Sequence, residues 1–443
     1  MKIGFFIEYF GNGGVERVVQ TLSNYLAQQG HTVYIFVLKR LPQEYAVDSR
    51  VQIVDIPNDV SQTLLKVLPY QLDIYALHFY WLAYCYELAD ALAAAGKKVT
   101  LTEHSVFFQL YRDILSPFVA ERKPSWQKVN VLTVLSGYDY QIHTAVLDNV
   151  AYMPNPNTFS ASLPLQTTYQ KNIIVVSRLA HHKRVDRALR AFALVAQKHT
   201  DWHLFILGDG DLRVALEKLA KALGVFSQVD FVGNVKNVAD YYAKSSIHLM
   251  TSLHEGWGLA LTEAKQFGMP SVVMDAPCFH DLIQDGADGF IVAQDDIAAM
   301  ADKIKFFIEN PDACKAMGKT AKERVQAYNI DVVGKRWENL FQLVLDNPQA
   351  IINAQLKTNY APVAQDTKKI IADFVVEYNI LYTKLCTLSK YNRLRAFLPI
   401  DFLLKCVTVF DFIKAVGFRV FFARVLFHVH RIALHFAFLN DKS

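Results

Sequence analysis

The sequence predicts an α/β chain of two doubly wound domains facing each other across a cleft, followed by a mostly helical C-terminal extension. Three observations carry this prediction. Apolar runs of strand length, without strict alternation, are interleaved with helical segments up to about residue 345, the pattern of parallel sheets covered on both faces. A strand, turn, helix, strand order at the N-terminus returns about 170 residues later. Between the two series lies a segment rich in Pro, Asn, Ser and Thr with little periodicity, residues 153–172.

In chain order, KIGFFIEYF (2–10) has strand length and GNGG (11–14) breaks it. VERVVQTLSNYLAQQG then places Val15, Val18, Val19, Leu22 and Leu26 on one helical face. HTVYIFVL is the next buried strand and completes a βαβ unit with a glycine-rich first turn. The runs VQIVDI, DIYALHFYW, VTLTEH and VNVLTVLS follow, separated by helical pieces such as ELADALAAAG. Beyond the linker, NIIVVSRLA (172–180), VDRALRAFALVAQ (185–197) and WHLFILG (202–208) repeat the opening unit, with Ile3 over Ile173 and Tyr34 over Leu204. VDFVG, SIHLMTS, PSVVMD and GFIVA continue the second series, and NIDVVGKRWENLFQLVLDN (329–347) is an amphipathic helix able to close the pair. The expected organisation is a first domain over residues 1–158 completed by helix 329–347, a second over 159–328, and the extension over 349–443.

With 443 residues, 52% of them hydrophobic, the chain can bury a core in each domain and is not a disordered polymer. The five cysteines, Cys85, Cys278, Cys314, Cys386 and Cys406, are odd in number and show no metal-ligand spacing, as expected of reduced core thiols in a cytosolic protein. Met1-Lys-Ile-Gly leads straight into an apolar strand containing Glu8, without the basic region and cleavage site of a secretory signal, so the catalytic part is expected inside the cell. The net charge of +4 is uneven: residues 390–443 hold nine Lys/Arg against three Asp, which leaves the rest of the chain slightly acidic.

The densest chemical signal is HEGWGLALTEAKQFGMP (254–270). A strand, SIHLMTS, runs into the loop LHEGWG and then a helix, so Glu255 stands at the carboxyl edge of a parallel sheet, where open α/β sheets bind ligands, and Glu263 in the first turns of the helix. Gly256 and Gly258 remove side chains where backbone amides would approach a ligand, and a helix N-terminus favours phosphate. One loop could hold a sugar on Glu255, a diphosphate on the amides of Trp257 to Leu259 and a ribose on Glu263. SRLAHHKR (177–184) puts Arg178 and Lys183 in the first turn of the second domain, two cations suited to paired phosphates. Asp209-Gly-Asp211 follows a strand as a turn and reads as such, not as a metal site. The side chains of adjacent His181 and His182 diverge. His78, in LHFYW, has the apolar neighbours of a core or wall histidine.

S-R-L-x4-K, the G-D-G-D turn at 208–211 and E-G-x-G-L-x3-E at 255–263 resemble the GT-B glycosyltransferases of the family-4 type, which carry an E-x7-E element on two Rossmann-like domains. GNGGVERV, TEHS (102–105) and NVAYMPNPN are similar to that family's glycine loop, strand-end histidine and pre-linker segment; Ser177 departs from its usual glycine. The resemblance covers about residues 1–345. It implies a retaining transferase with a nucleotide-sugar as co-substrate, no cofactor and no obligatory metal. In it, Arg178 and Lys183 neutralise the leaving diphosphate, Glu255 holds the donor sugar, Glu263 takes the ribose and His104 lies near the reacting carbon or the acceptor. Gly13 and Gly14 let the backbone approach the phosphate. The expected acceptor is a glycan or a lipid-linked glycan of surface polysaccharide synthesis. The alternatives are an epimerase or phosphorylase of the same fold, or a non-catalytic scaffold binding sugar nucleotides.

In the extension no 18-residue stretch is free of charge, so it should not span a bilayer. Arg424, His428, Arg431 and His435 share one helical stripe beside Phe418, Phe421, Phe422, Val425, Val429 and Ile432, the pattern of an interfacial helix on anionic lipid. The expected location is cytoplasmic and peripheral to the inner face of the membrane. The same aromatics would also suit packing on the transferase body. No nucleic-acid-binding module is present in the sequence pattern.

Overall fold

The computed structural model describes residues 1–11, 13–42, 45–79, 83–106, 125–144, 147–159 and 169–346. The extension over 349–443, with its expected membrane stripe, lies outside the described residues, as do Cys386 and Cys406. Cys85, Cys278 and Cys314 are buried thiols outside any disulfide among the described residues. Among the described residues no helix is long and apolar enough to cross a membrane.

The first sheet has seven strands: β1 (Lys2–Phe10), β2 (Thr32–Arg40), β3 (Gln52–Asp55), β4 (Ile74–Leu77), β5 (Val99–Glu103), β6 (Val131–Val134) and β7 (Val150–Tyr152). Their order is β3-β2-β1-β4-β5-β6-β7, with every pair parallel. The second sheet has six: β8 (Asn172–Val176), β9 (His203–Leu207), β10 (Val229–Gly233), β11 (Ile247–Met250), β12 (Ser271–Met274) and β13 (Gly289–Val292). They run in the order β10-β9-β8-β11-β12-β13, again all parallel. Both sheets are doubly wound. The winding reverses between β1 and β4 in one and between β8 and β11 in the other, and such reversals open a crevice at the carboxyl ends of the strands.

The repeat of the two opening units differs from expectation by one residue. Ile3 pairs with Val33, whereas Ile173 pairs with Leu204, so Leu204 stands in the place of Val33 and not of Tyr34. Because side chains alternate along a strand, a slip of one residue would exchange buried and outward faces; Val33 is fully buried like Leu204, while Tyr34 is half-buried.

The helix Gly14–Gln28 lays Val18, Val19, Leu22 and Leu26 on the first sheet, the face expected from their spacing. The last described helix, Ile330–Asp346, returns to the same core and inserts Val333, Trp337, Leu340, Phe341 and Val344. Gly334 permits this return, since a Cβ there would lie 2.4 Å from the Tyr25 ring. The chain crosses back beside Asn157, whose amide N–H donates to Tyr328 O at 2.7 Å and whose side chain donates to Val325 O and Asn329 Oδ1 at 2.8 Å each.

The two domains meet along the carboxyl edges of their sheets. Leu135, just past β6, belongs to one apolar cluster with Met250, Trp257, Leu261 and Phe279 of the second domain. Beside it, Asp281 Oδ2 accepts the backbone N–H of Gly137 at 2.7 Å, satisfying one of the unpaired amides at the start of the helix Gly137–His143.

Candidate active site

The candidates lie along the carboxyl edges of the two sheets: Arg178, Lys183 and Glu255 at the reversal in the second, Gly13 and Gly14 after β1 at the reversal in the first, His104 one strand further on after β5, and Glu263 in the helix that follows the Glu255 loop. After β8 the chain makes the turn Ser177–Ala180 and the 3₁₀ turn His181–Lys183; after β11 it makes the loop Ser252–Gly258. The two loops are joined: Leu253 N–H donates to His182 O at 2.8 Å and Thr251 Oγ1 donates to Lys183 O at 3.1 Å. Lys183 and Glu255, 72 positions apart, consequently meet. Lys183 Nζ donates to Glu255 Oε1 at 2.6 Å, and Ser252 Oγ donates to the same oxygen at 2.7 Å. Burial alone would raise the Glu255 carboxyl, but the Lys183 charge and these two hydrogen bonds outweigh it and hold the group below the usual glutamate range. Glu255 is therefore ionised at neutral pH.

The loop is braced from behind. The Gln294 amide donates to Ser252 O at 3.1 Å and to Asp275 O at 2.5 Å, and the buried guanidinium of Arg187 grips Gln294 and Asp295. Arg178 is exposed and its side chain makes no hydrogen bond or ion pair among the described residues, which leaves the five guanidinium donors for a ligand. Its turn is seated on the 208–211 turn: Leu179 N–H donates to Asp209 O at 2.9 Å, and a Cβ on Gly208 would meet Ser177 O at 2.0 Å. Ser177 itself has no left-handed backbone, so serine in place of the usual glycine is not strained. The Asp209 carboxylate is turned onto its own loop, accepting from Gly210 N–H at 2.8 Å and Arg213 at 3.4 Å. His182 stacks on His254, ring centroids 5.2 Å apart.

The glycines also have structural surroundings that the sequence did not disclose. A Cβ on Gly256 would lie 2.1 Å from the carbonyl oxygen of His104, so Gly256 is where the second domain's loop rests on the first domain's backbone. Gly258 starts the helix Leu259–Gln266 with φ +96°, a conformation that favours glycine. Gly13 closes on the Glu16 carboxylate, and a Cβ on Gly14 would stand 3.3 Å from Leu259 Cδ1, again across the domain seam. The Trp257 side chain is buried and stands edge-on to Tyr328 at 4.9 Å, so it is not itself open to a ligand.

Glu263 is nearly buried and already partnered. Oε1 accepts from Thr158 Oγ1 at 2.7 Å and Oε2 from the buried Tyr242 hydroxyl at 3.0 Å, while Arg17 stands 3.9 Å away across the seam. Each carboxylate oxygen has two lone pairs, so one per oxygen remains for a ligand diol. Arg17 also lies over the rings of Phe159 and Tyr45, at 5.0 and 5.3 Å.

His104 follows β5, whose last residue, Glu103, is anchored by Tyr86 (2.7 Å) and the Trp126 indole (2.9 Å). Burial pushes the His104 imidazole down to about 4, so the ring is neutral at pH 7. The structure thus brings Lys183, Glu255 and Gly256 together with the backbone of His104, and Gly14 with Leu259. Arg17, Ser252, Gln294, Thr158 and Tyr242 were not legible as parts of this site. Of these only Arg17 carried a signal, as the cation four positions after the glycine at 13.

Residues 12–146 match the family model described as Glycosyltransferase Family 4, and residues 163–324 the model described as Glycosyl transferases group 1. An uncharacterized glycosyltransferase of Haemophilus influenzae is 29% identical over 354 residues, covering 76% of this chain and 99% of the relative. An α-1,4-N-acetyl-D-galactosaminyltransferase of Campylobacter jejuni, named for a diNAcBac-PP-undecaprenol-linked substrate, is 27% identical over 362 residues, 77% of this chain and 98% of that protein. Among solved structures, Anabaena HepE in complex with UDP has a TM-score of 0.64 at 15% identity, covering 77% of this chain and all (100%) of that one. Sucrose-phosphate synthase from Thermosynechococcus elongatus has a TM-score of 0.65 at 17% identity, covering 78% and 99%. Two doubly wound domains meeting at their carboxyl edges are the GT-B fold. The chain belongs to the group 1 glycosyltransferases of the family-4 type.

Proposed function

We propose that this glycosyltransferase moves a sugar from a nucleotide-sugar donor to a glycan or lipid-linked acceptor in surface polysaccharide or oligosaccharide synthesis, with retention and without an obligatory metal. The observation that carries it is the Lys183–Glu255 pair held at the sheet reversal, directly beside the loop glycine that rests on His104. In this reading Arg178 and Lys183 stabilise the negative charge that develops on the departing diphosphate, the role a metal cation fills elsewhere. Glu255, kept ionised, holds donor-sugar hydroxyls and steadies the positive anomeric carbon. The free lone pairs of Glu263 receive the ribose, and the amides of Gly256 to Leu259, at a helix start, face phosphate. Gly13 and Gly14 open the first domain's backbone to the same diphosphate. A leaving phosphate oxygen takes the acceptor proton.

The choice of acceptor class is supported by the undecaprenol-linked substrate in the Campylobacter relative's name and by an amylovoran biosynthesis glycosyltransferase of Erwinia amylovora, 22% identical over 354 residues. The basic and aromatic residues 390–443 suit an anionic membrane surface, where a lipid-linked acceptor would be presented.

Thermal melting across a panel of nucleotides and sugar nucleotides tests the donor site, because ligands of the native state raise Tm by mass action. One nucleotide diphosphate class should raise Tm in the wild type and in Glu255→Ala, but not in Arg178→Ala, while Glu255→Ala loses transfer. A fully active Glu255→Ala enzyme would overturn the assignment.

A further inference from the structure

Behind His104 stands a second histidine to which the proposed chemistry gives no part. His78 follows β4, the strand beside β5, and is fully buried between the rings of Phe5 and Trp337, at 5.4 and 5.5 Å. Its Nδ1 lies 3.1 Å from Nε2 of His104, and its Nε2 lies 3.3 Å from Thr102 Oγ1. Thr133 Oγ1 is in turn 2.7 Å from Thr102 Oγ1. Four polar groups on adjacent strand ends therefore form one chain that terminates at His104.

Burial keeps both imidazoles neutral at pH 7. A hydrogen bond between two neutral imidazoles needs one nitrogen with a proton and one without, so the two tautomers are coupled. Two proton orders satisfy the chain. If His104 donates inward, the protons pass through His78 and Thr102 to Thr133, which must then use Leu101 O at 3.4 Å, a poor bond. In the other order Thr133 donates to Thr102 over the short 2.7 Å contact, Thr102 donates to His78 Nε2, and His78 Nδ1–H donates to His104 Nε2. The 3.3 Å Thr102–His78 contact is common to both orders, but this one does without the 3.4 Å bond to Leu101 O and uses the 2.7 Å contact in its stead, and the one proton of His104 is left on Nδ1.

We propose that His78 is a positioning residue for His104, holding the ring in place and fixing it as the Nδ1–H tautomer, so that His104 meets the donor sugar or acceptor as a hydrogen-bond donor and not as a base. The proposal rests on the placement of His104 at the reacting centre. It agrees with proton transfer to the leaving phosphate oxygen, which requires no side-chain base.

The test uses the full chain. His78→Phe preserves aromatic packing against Phe5 and Trp337 but removes the bond; His78→Asn restores a polar amide near the position of Nδ1. Nitrogen NMR of labelled histidine should show the Nδ1–H form of His104 in the wild type and its loss in His78→Phe. In His78→Phe kcat should fall about tenfold, the rate equivalent of one neutral hydrogen bond, with donor KM within about twofold, and His78→Asn should recover most of it. An Nε2–H tautomer in the wild type, or undiminished kcat in folded His78→Phe, would overturn the proposal. Should His78→Phe not fold, the wild-type tautomer alone decides. Full activity of His104→Ala would instead remove the site reading beneath it, whatever the tautomer.

Discussion

Replacing Gly256 by alanine adds one methyl group at the point where the two domains touch. The new Cβ would stand 2.1 Å from the His104 carbonyl oxygen, about 1.3 Å short of the 3.4 Å at which ordinary van der Waals contact begins. Both neighbours are backbone, so no side chain can swing away. The loop carrying Glu255 and the strand end carrying His104 must separate by roughly that distance. A misplacement of about 1 Å between reacting groups costs about 100-fold in rate, which is the fall in kcat expected for Gly256→Ala. The apolar seam around Trp257 and Leu135 would be strained as well, at about 1–3 kcal/mol. Gly30→Ala is the matched control. A Cβ there meets nothing within 4 Å, and only its φ of +87° is at stake, so about 1 kcal/mol of stability should go while transfer is intact. Initial rates of transfer, measured with thermal melting of each variant, separate the two effects. A Gly256→Ala enzyme within about threefold of wild type would refute the inference that the His104 backbone sets the position of the Glu255 loop.

Two further outcomes follow from the charges. In Lys183→Ala the Glu255 carboxyl loses the ammonium charge and hydrogen bond that chiefly offset its burial, so its pKa rises and the acid limb of the pH–rate profile moves to higher pH. In the wild type the Glu255 pKa is depressed on folding, so the stability it contributes is present above the unfolded value near 4.3 and is lost as pH falls through the folded one; urea melts should show a difference between wild type and variant at pH 7 that shrinks as the pH is lowered through the folded value. Glu263→Ala leaves the buried Tyr242 hydroxyl only the longer 3.3 Å contact to Ala260 O, costing about 1 kcal/mol by urea denaturation, and raises the donor KM more than it lowers kcat. Unchanged donor KM in that variant would exclude a ribose contact.

Both sheets were legible because parallel strands covered on two faces are written as unbroken apolar runs, as in IIVV and SVVM. The strand edges that carry Arg178, Lys183, His104 and Glu255 followed from that placement. The contacts among these residues did not, because they join distant positions. Nothing in ADYYA marks Tyr242 as a partner of Glu263, 21 residues later, and nothing in the local sequence ties Gly256 to the His104 carbonyl. The glycines were read as clearance for a ligand; that Gly256 and Gly14 also face the opposite domain was not legible. His78 was assigned to the core from its apolar neighbours; it is in the core, and it also touches His104.

The seam at Gly256 bears on how such enzymes can be recombined. A chimera made by exchanging residues 163–324 with a relative's second domain would inherit a loop shaped to someone else's backbone. Success should depend less on the junction chosen in the linker than on carrying along three short stretches of the first domain: the strand end at His104, the helix start at Gly14 and the amide at Gly137 that meets Asp281. These stretches are far apart in the gene, so single-crossover libraries will seldom transfer them together.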